Sequence, residues 1–335
     1  MTLQASFQAP ATDTDPPSHT TRIAKARKHA PAVSANMDRR VASLLGKALA
    51  DAWNPEADLP WDSRVELEEV DLSDRHSLIA KLPEFSRFGA REHSGLKVGE
   101  LGWCLSNLLE GEWRGGLLAA QMMLDCAPES RQTAAFISTV MHDEVKHHEV
   151  LRRYLEAREG LLMKPHGSFD QLFTDLQHHP VWELKVLVGQ LVFEATATST
   201  LHSLFMHSRE PLLTAILRRI MKDEARHLAF TNCVIGEIPQ RYSAETVHEV
   251  EDVMFEAVVA CVSTFAPEPV WQRMGLPMQA CRRAAFEALC DTGIIDFYSR
   301  VLPRQLAQRG FPSDRLSRLL GDGLKARLCD GLTLA

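Results

Sequence analysis

One pattern occurs twice in this chain. Met141-His142-Asp143-Glu144-Val145-Lys146-His147 is matched by Met221-Lys222-Asp223-Glu224-Ala225-Arg226-His227, with Met, Asp, Glu, a base and His in register 80 residues apart, 221 less 141. On a helix, residues three apart project from nearly the same side, so Glu144 and His147 point together, as do Glu224 and His227. The faces that carry them are apolar: Ile137, Val140, Met141 and Leu151 flank the first pair, and Leu213, Ile216, Leu217, Ile220 and Leu228 the second. A carboxylate buried on such a face needs a cation beside it. A single Glu-x-x-His arises easily by chance. Two copies at equivalent places in successive helix pairs predict an all-α bundle whose symmetric helices hold metal between them.

Helical periodicity dominates from about Val41, broken at Asn54-Pro55, Gly160, Gly167, Pro180, Pro211, Pro239 and Pro277. The helices of most interest run over about 98–126, 129–158, 180–207 and 211–235. Each can cross a bundle core, since about 20 residues span about 30 Å. A bundle of this kind takes one further Glu from each of its other two helices. Glu112 fits, sharing a face with Leu105, Leu108, Leu109, Gly116 and Ala119. Glu110 lines up with Ser106, Asn107 and Arg114, a wetter face that suits an exposed ion pair. On the third helix Glu194 stands with Leu187, Leu191, Ala197, Thr198, Leu201 and Phe205. The spacings match between halves, 144 less 112 being 32 and 224 less 194 being 30. Glu183, at a helix start, has the helix dipole as its expected role. Gly115, Gly116, Ala119 and Ala120 leave room for oxygen or substrate, or allow close helix packing.

Four carboxylates carry the charge that two divalent ions neutralise. Two imidazoles complete a mixed oxygen and nitrogen donor set that suits iron, or manganese with iron, better than structural zinc. Metal-bound histidines usually donate their other N–H to a carboxylate, and Asp143 and Asp223 are the candidates for that role. Their alternative is a solvent-facing acid beside Lys146 or Arg226. His142 and His148 are expected at the bundle rim. Thr198, four residues after Glu194, is placed either to hydrogen-bond near bound oxygen or to bond its own helix backbone.

The chain of 335 residues is long enough for a sizeable core. Residues 1–35, rich in Pro, Thr, Ser and Ala with a basic run from Arg22 to His29, read as a flexible arm. Residues 36–335 read as a single helical domain, with the metal-binding bundle over about 98–236 and additional helices over about 243–330. The net charge of -7 offers no general attraction to nucleic acid or an anionic membrane, so a small molecule is the expected partner. Met1 to Ser34 lacks an apolar signal-peptide core, and no later stretch runs about 18 apolar residues without a charge. A cytoplasmic location is expected. The seven cysteines form no C-x-x-C pair, which argues against structural zinc and a disulfide framework. A homodimer is the expected assembly.

The assembled residues resemble the ferritin-like di-iron carboxylate superfamily over roughly Leu101 to Ile235. Glu112, Glu144, His147, Glu194, Glu224 and His227 match its ligand pattern. Among its branches the chain looks most like bacterial oxygenases related to aminobenzoate N-oxygenases, on Leu59-Pro60-Trp61-Asp62, Gly111-Glu112 and Asp223-Glu224-Ala225-Arg226-His227. It departs from them at Ile220, where they carry a third histidine ligand. A ribonucleotide reductase small subunit would have its radical tyrosine where Leu151 stands, and rubrerythrins would add C-x-x-C pairs. The resemblance implies a ferritin-like four-helix bundle, close in kind to ribonucleotide reductase small subunits, with additional helices. It also implies O2-dependent oxidation of a small organic metabolite, by N-oxygenation of an amine or by hydroxylation. No dinucleotide fingerprint is present, so electrons would come from an external ferredoxin or reductase. The alternatives are an acyl-type desaturase, a storage or redox-sensing ferritin-like protein, and a metal-free structural bundle.

Overall fold

The computed structural model describes residues 33–63, 77–158, 161–179, 181–291, 293–311 and 314–333. Nearly all of the expected N-terminal arm lies outside them. Every regular element among the described residues is a helix. The first, α1 (Ala35–Ala50), is capped by Ser34, whose hydroxyl accepts from the Met37 N–H at 3.1 Å. Its Met37 and Val41 pack with Phe136, Ile137, Val140, Phe230 and Val234. Those partners belong to α3 (Arg131–Glu156) and to the helix Pro211–Val234, which carry the two repeated motifs.

The longest helix, α2 (Ala90–Cys126), begins well before the expected boundary near 98. Gly95, Gly99 and Gly102 weaken the local helix signal there, because glycine is a poor helix former. Tertiary contact overrides that weakness. A Cβ on Gly102 would collide with the Leu161 carbonyl oxygen, and one on Gly99 would meet Val270 Cγ1 at 2.6 Å. Gly99 and Gly102 are thus what let other chain segments close on α2. A loop and α4 (Ser168–His178) follow α3.

The next rod, α5, has three consecutive parts: an α-helical start Trp182–Val186, a π-helical stretch Leu187–Phe193, and an α-helix Glu194–His207. A π-turn inserts an extra residue into the helical ladder and rotates the turns beyond it. Hence the single apolar stripe expected around Glu194 is split. Leu187 and Leu191 enter the core shared with the C-terminal helices, whereas Leu201, Ala197 and Phe205 pack in the bundle core with Leu105, Leu151 and Leu217. The last bundle helix, α6 (Pro211–Val234), starts on Pro211 and is capped by Glu210, whose carboxylate accepts from the backbone N–H groups of Leu212 and Leu213 at 3.2 and 2.5 Å.

Helices α2, α3, α5 and α6 form a ferritin-like four-helix bundle. Beyond it, α7 (Ala244–Ser263), α8 (Met278–Asp291) and several shorter helices make a second layer against α5. The stretch Ala244–Arg273 is long and apolar enough to cross a membrane. Its Val247, Val250, Met254, Val258 and Cys261 are packed in that layer instead.

Candidate metal centre

All six donors expected from the sequence converge in the bundle. They form two overlapping groups, Glu112, Glu144, His147 and Glu224, and Glu144, Glu194, Glu224 and His227. Within each group the ligand atoms lie within 4.8 Å of one another. Glu144 and Glu224 belong to both, so the arrangement is that of two adjacent sites with two shared carboxylates. Each imidazole presents Nδ1 to the carboxylates. His147 Nδ1 is 3.1 Å from Glu112 Oε2 and 3.2 Å from Glu224 Oε1. His227 Nδ1 is 3.1 Å from Glu224 Oε2, 3.4 Å from Glu144 Oε1 and 3.6 Å from Glu194 Oε1. Close approach of α2 to α3 makes this geometry available, since a Cβ on Gly115 would lie 2.7 Å from Glu144 Oε2. Gly116 and Ala119 also serve helix packing, against Val145 and in the Phe136 cluster.

The opposite ring nitrogens face the two expected aspartates, with the pairing crossed. His147 Nε2 is 3.0 Å from Asp223 Oδ2 on α6, and His227 Nε2 is 3.5 Å from Asp143 Oδ2 on α3. His147 is therefore oriented by the other motif's aspartate, whereas His227 Nε2 only approaches Asp143 and is buried without a hydrogen bond. Neither aspartate faces solvent. Lys146 and Arg226 turn inward and bind both: Lys146 Nζ is 2.8 Å from Asp143 and 3.6 Å from Asp223, and Arg226 donates to Asp143 at 3.2 Å and also to Asp223. Trp53, just past α1, completes the network by donating its indole N–H to Asp223 Oδ2 at 2.7 Å. Nothing near Trp53 in the sequence marks this role.

Charge balance tests whether the cluster fits two metal ions. The two aspartates are matched by Lys146 and Arg226, which leaves the four glutamates without cationic side chains of their own. Their four negative charges are what two divalent cations balance. Glu194 Oε2 is buried without a hydrogen-bond partner. Proton affinities show the same deficit. Burial, against the pull of His147, pushes Glu112 up to about 8, and burial with the Glu224 charge raises Glu194 well above the carboxylate range. Burial opposes the charged form of both histidines, yet Glu112 for His147 and Glu224 for His227, with their other acidic neighbours, raise both well above the usual imidazole range. The donor set fits a dinuclear centre.

A cavity of about 440 Å³ opens onto Glu112, Glu144, Glu194 and Glu224 and runs between α2, α5 and the C-terminal layer. Thr198 Oγ1 is buried without a hydrogen-bond partner, whereas the neighbouring Thr196, Ala197 and Thr200 line the cavity. His142 is exposed, and His148 lies against the Leu109 carbonyl, 3.1 Å away. Ile220 is fully buried in the bundle core, and no third histidine among the described residues joins either donor group. Glu110 pairs with Arg114 at 2.7 Å, half-exposed. Glu183 differs from expectation. It does sit in a first turn, but it is buried, ion-paired with Arg241 and hydrogen-bonded by the Tyr242 hydroxyl at 2.7 Å.

Fold and site together define a class: a ferritin-like bundle with a dinuclear carboxylate–histidine donor set. No protein-family model matches the sequence, and no curated protein matches it. Among solved structures, an R2-like ligand-binding oxidase with an aerobically reconstituted Mn/Fe cofactor is 18% identical, over 86% of this chain and 91% of that one, with a TM-score of 0.43. A point variant of such an oxidase, also with a reconstituted Mn/Fe cofactor, is 18% identical over 88% and 92%, with a TM-score of 0.39. Likeness of this degree does not extend a function to this chain.

Proposed function

We propose that this protein is a dimetal oxidase that uses O2 to oxidise a small organic molecule lodged in the cavity, by hydroxylation or by N-oxygenation of an amine. The observation that carries the reading is the pair of four-donor groups sharing Glu144 and Glu224, buried at the wall of a largely apolar cavity. Glu112 and His147 would hold one ion, Glu194 and His227 the other, with iron or manganese and iron the metals suited to these donors. The chemistry such ions supply is electron transfer to O2, which no side chain here carries. The protein's own residues do the rest. Asp223 fixes the tautomer and plane of the His147 ring, Asp143 faces His227, and Lys146 and Arg226 keep those aspartates ionised.

Electrons would come from a ferredoxin or reductase, and the chain Trp53–Asp223–His147 joins the edge of the bundle to the donor cluster. Metal analysis of the purified protein is the first test, with two ions per chain expected. O2 uptake by the reduced protein should then depend on an added organic substrate. A single zinc per chain, or O2 uptake that no candidate substrate alters, would sink the proposal.

A further inference from the structure

The cavity contains a polar group that the donor cluster does not use. On one side its wall is a single stripe of α2, recurring every three or four residues through His93, Lys97, Glu100, Cys104, Leu108 and Glu112. Helical rise turns that stripe into a ruler. Glu100 lies twelve residues before Glu112, which is about 18 Å along the axis. Between the two levels the wall is mainly apolar, with Trp103, Leu108, Leu204 and Phe265, and its polar side chains there, Asn107 among them, are uncharged. Glu100 is the one acidic residue of the described wall outside the donor cluster. Its Oε1 accepts from the Ser77 hydroxyl at 2.9 Å, a neutral partner. Burial pushes its carboxyl up to about 7. A carboxyl so placed is satisfied by a proton or by a cation that a ligand brings.

We propose that the cavity takes an elongated, mainly apolar molecule with a protonated amine at one end, held by Glu100, and its far end laid against Glu112 and Glu194. The inference builds on the oxidase reading by naming its substrate class, and it places carbon rather than nitrogen beside the donors. Only the reactivity of that far end depends on the oxidase reading. Lys97, which already has a partner within the protein, stands on the same stripe one turn farther from the donors, and a carboxylate-headed ligand would need that lysine in place of Glu100. That outcome would overturn the proposal.

The test is calorimetric binding to the full-length protein, without turnover, of butylamine, octylamine, dodecylamine and hexadecylamine, with palmitate and hexadecanol as head-group controls, all below micelle-forming concentrations. Affinity should rise along the amine series, and hexadecylamine should bind about ten-fold tighter than palmitate or more. Glu100→Gln should weaken hexadecylamine about ten-fold and leave hexadecanol unchanged. Leu108→Trp, which fills the cavity between the two ends, should lose hexadecylamine and keep butylamine. Palmitate binding tighter than hexadecylamine, unchanged amine affinity in Glu100→Gln, or indifference to chain length would each refute the assignment. Amine binding that persists in a protein shown to lack O2 chemistry would refute the oxidase reading alone.

Discussion

The two motif-bearing hairpins, α2–α3 and α5–α6, supply the same donors but hold them differently. In the first, Glu112 is only 6% exposed, 3.1 Å from His147, and the far nitrogen of that ring is 3.0 Å from an aspartate that also accepts the Trp53 indole. In the second, the Glu194 side chain keeps 13% of its surface, lies 3.6 Å from His227, and follows a π-helical stretch; His227 meets its aspartate only at 3.5 Å. The pair shows that a repeated sequence can fix the kind of donor twice while the surroundings set its stiffness. One half is an anchored site. The other is the looser one, on the rod that faces the C-terminal layer.

That comparison is most directly broken through the shared donors. Glu144→Ala or Glu224→Ala should empty both sites, whereas Glu112→Ala or Glu194→Ala should each remove about one ion per chain, read by elemental analysis. Equal losses from all four would mean that the halves are not separable. Next in size is the residue one turn after each lone glutamate, Gly115 in one half and Ala197 in the other. Gly115→Ala drives a methyl into the Glu144 carboxylate and should weaken metal binding at least about ten-fold, since supporting contacts of this kind are worth 10–100-fold. Ala197→Gly should cost only about 1 kcal/mol of helix stability in denaturant unfolding.

Trp53→Phe tests the anchoring itself. It removes a donor that only the first half has and leaves Asp223 one partner short, an expected loss of about 1–3 kcal/mol in unfolding free energy. A value near zero would show that the indole contributes packing alone. The smallest effect should come from Glu110→Gln, which breaks a half-exposed pair with Arg114 and should change stability by about 1 kcal/mol or less.

The donors were legible because buried charge at helical spacing is costly and therefore conspicuous: Glu112 and Glu194 each stood on an otherwise apolar stripe, and each motif repeated its Asp, base and His. What was hidden depends on contacts between distant segments. Trp53 reaches Asp223 from 170 residues away. The crossed aspartates cannot be read from either motif alone, since each has an equally near aspartate of its own. The π-helical stretch before Glu194 breaks the 3.6-residue projection on which a face assignment rests, so Leu187 and Leu201 read as neighbours yet pack in different cores. The early start of α2 was masked by glycines, two of which, Gly99 and Gly102, are small because Val270 and the Leu161 backbone close on them. Glu183 looked like a dipole partner because Arg241, 58 residues on, is invisible to local reasoning.

The crossing of Asp143 and Asp223 also bears on how such a chain could have arisen. A hairpin with one Asp-Glu-x-base-His motif carries a histidine and an aspartate that do not serve each other, so alone it is chemically incomplete. Placed against a copy of itself, it becomes complete, because each copy lends the aspartate that its twin lacks. Tandem duplication of such a hairpin would start from a site that already worked between two molecules. Fusion would then make the partner permanent and free the two halves to differ in how tightly each holds its donors.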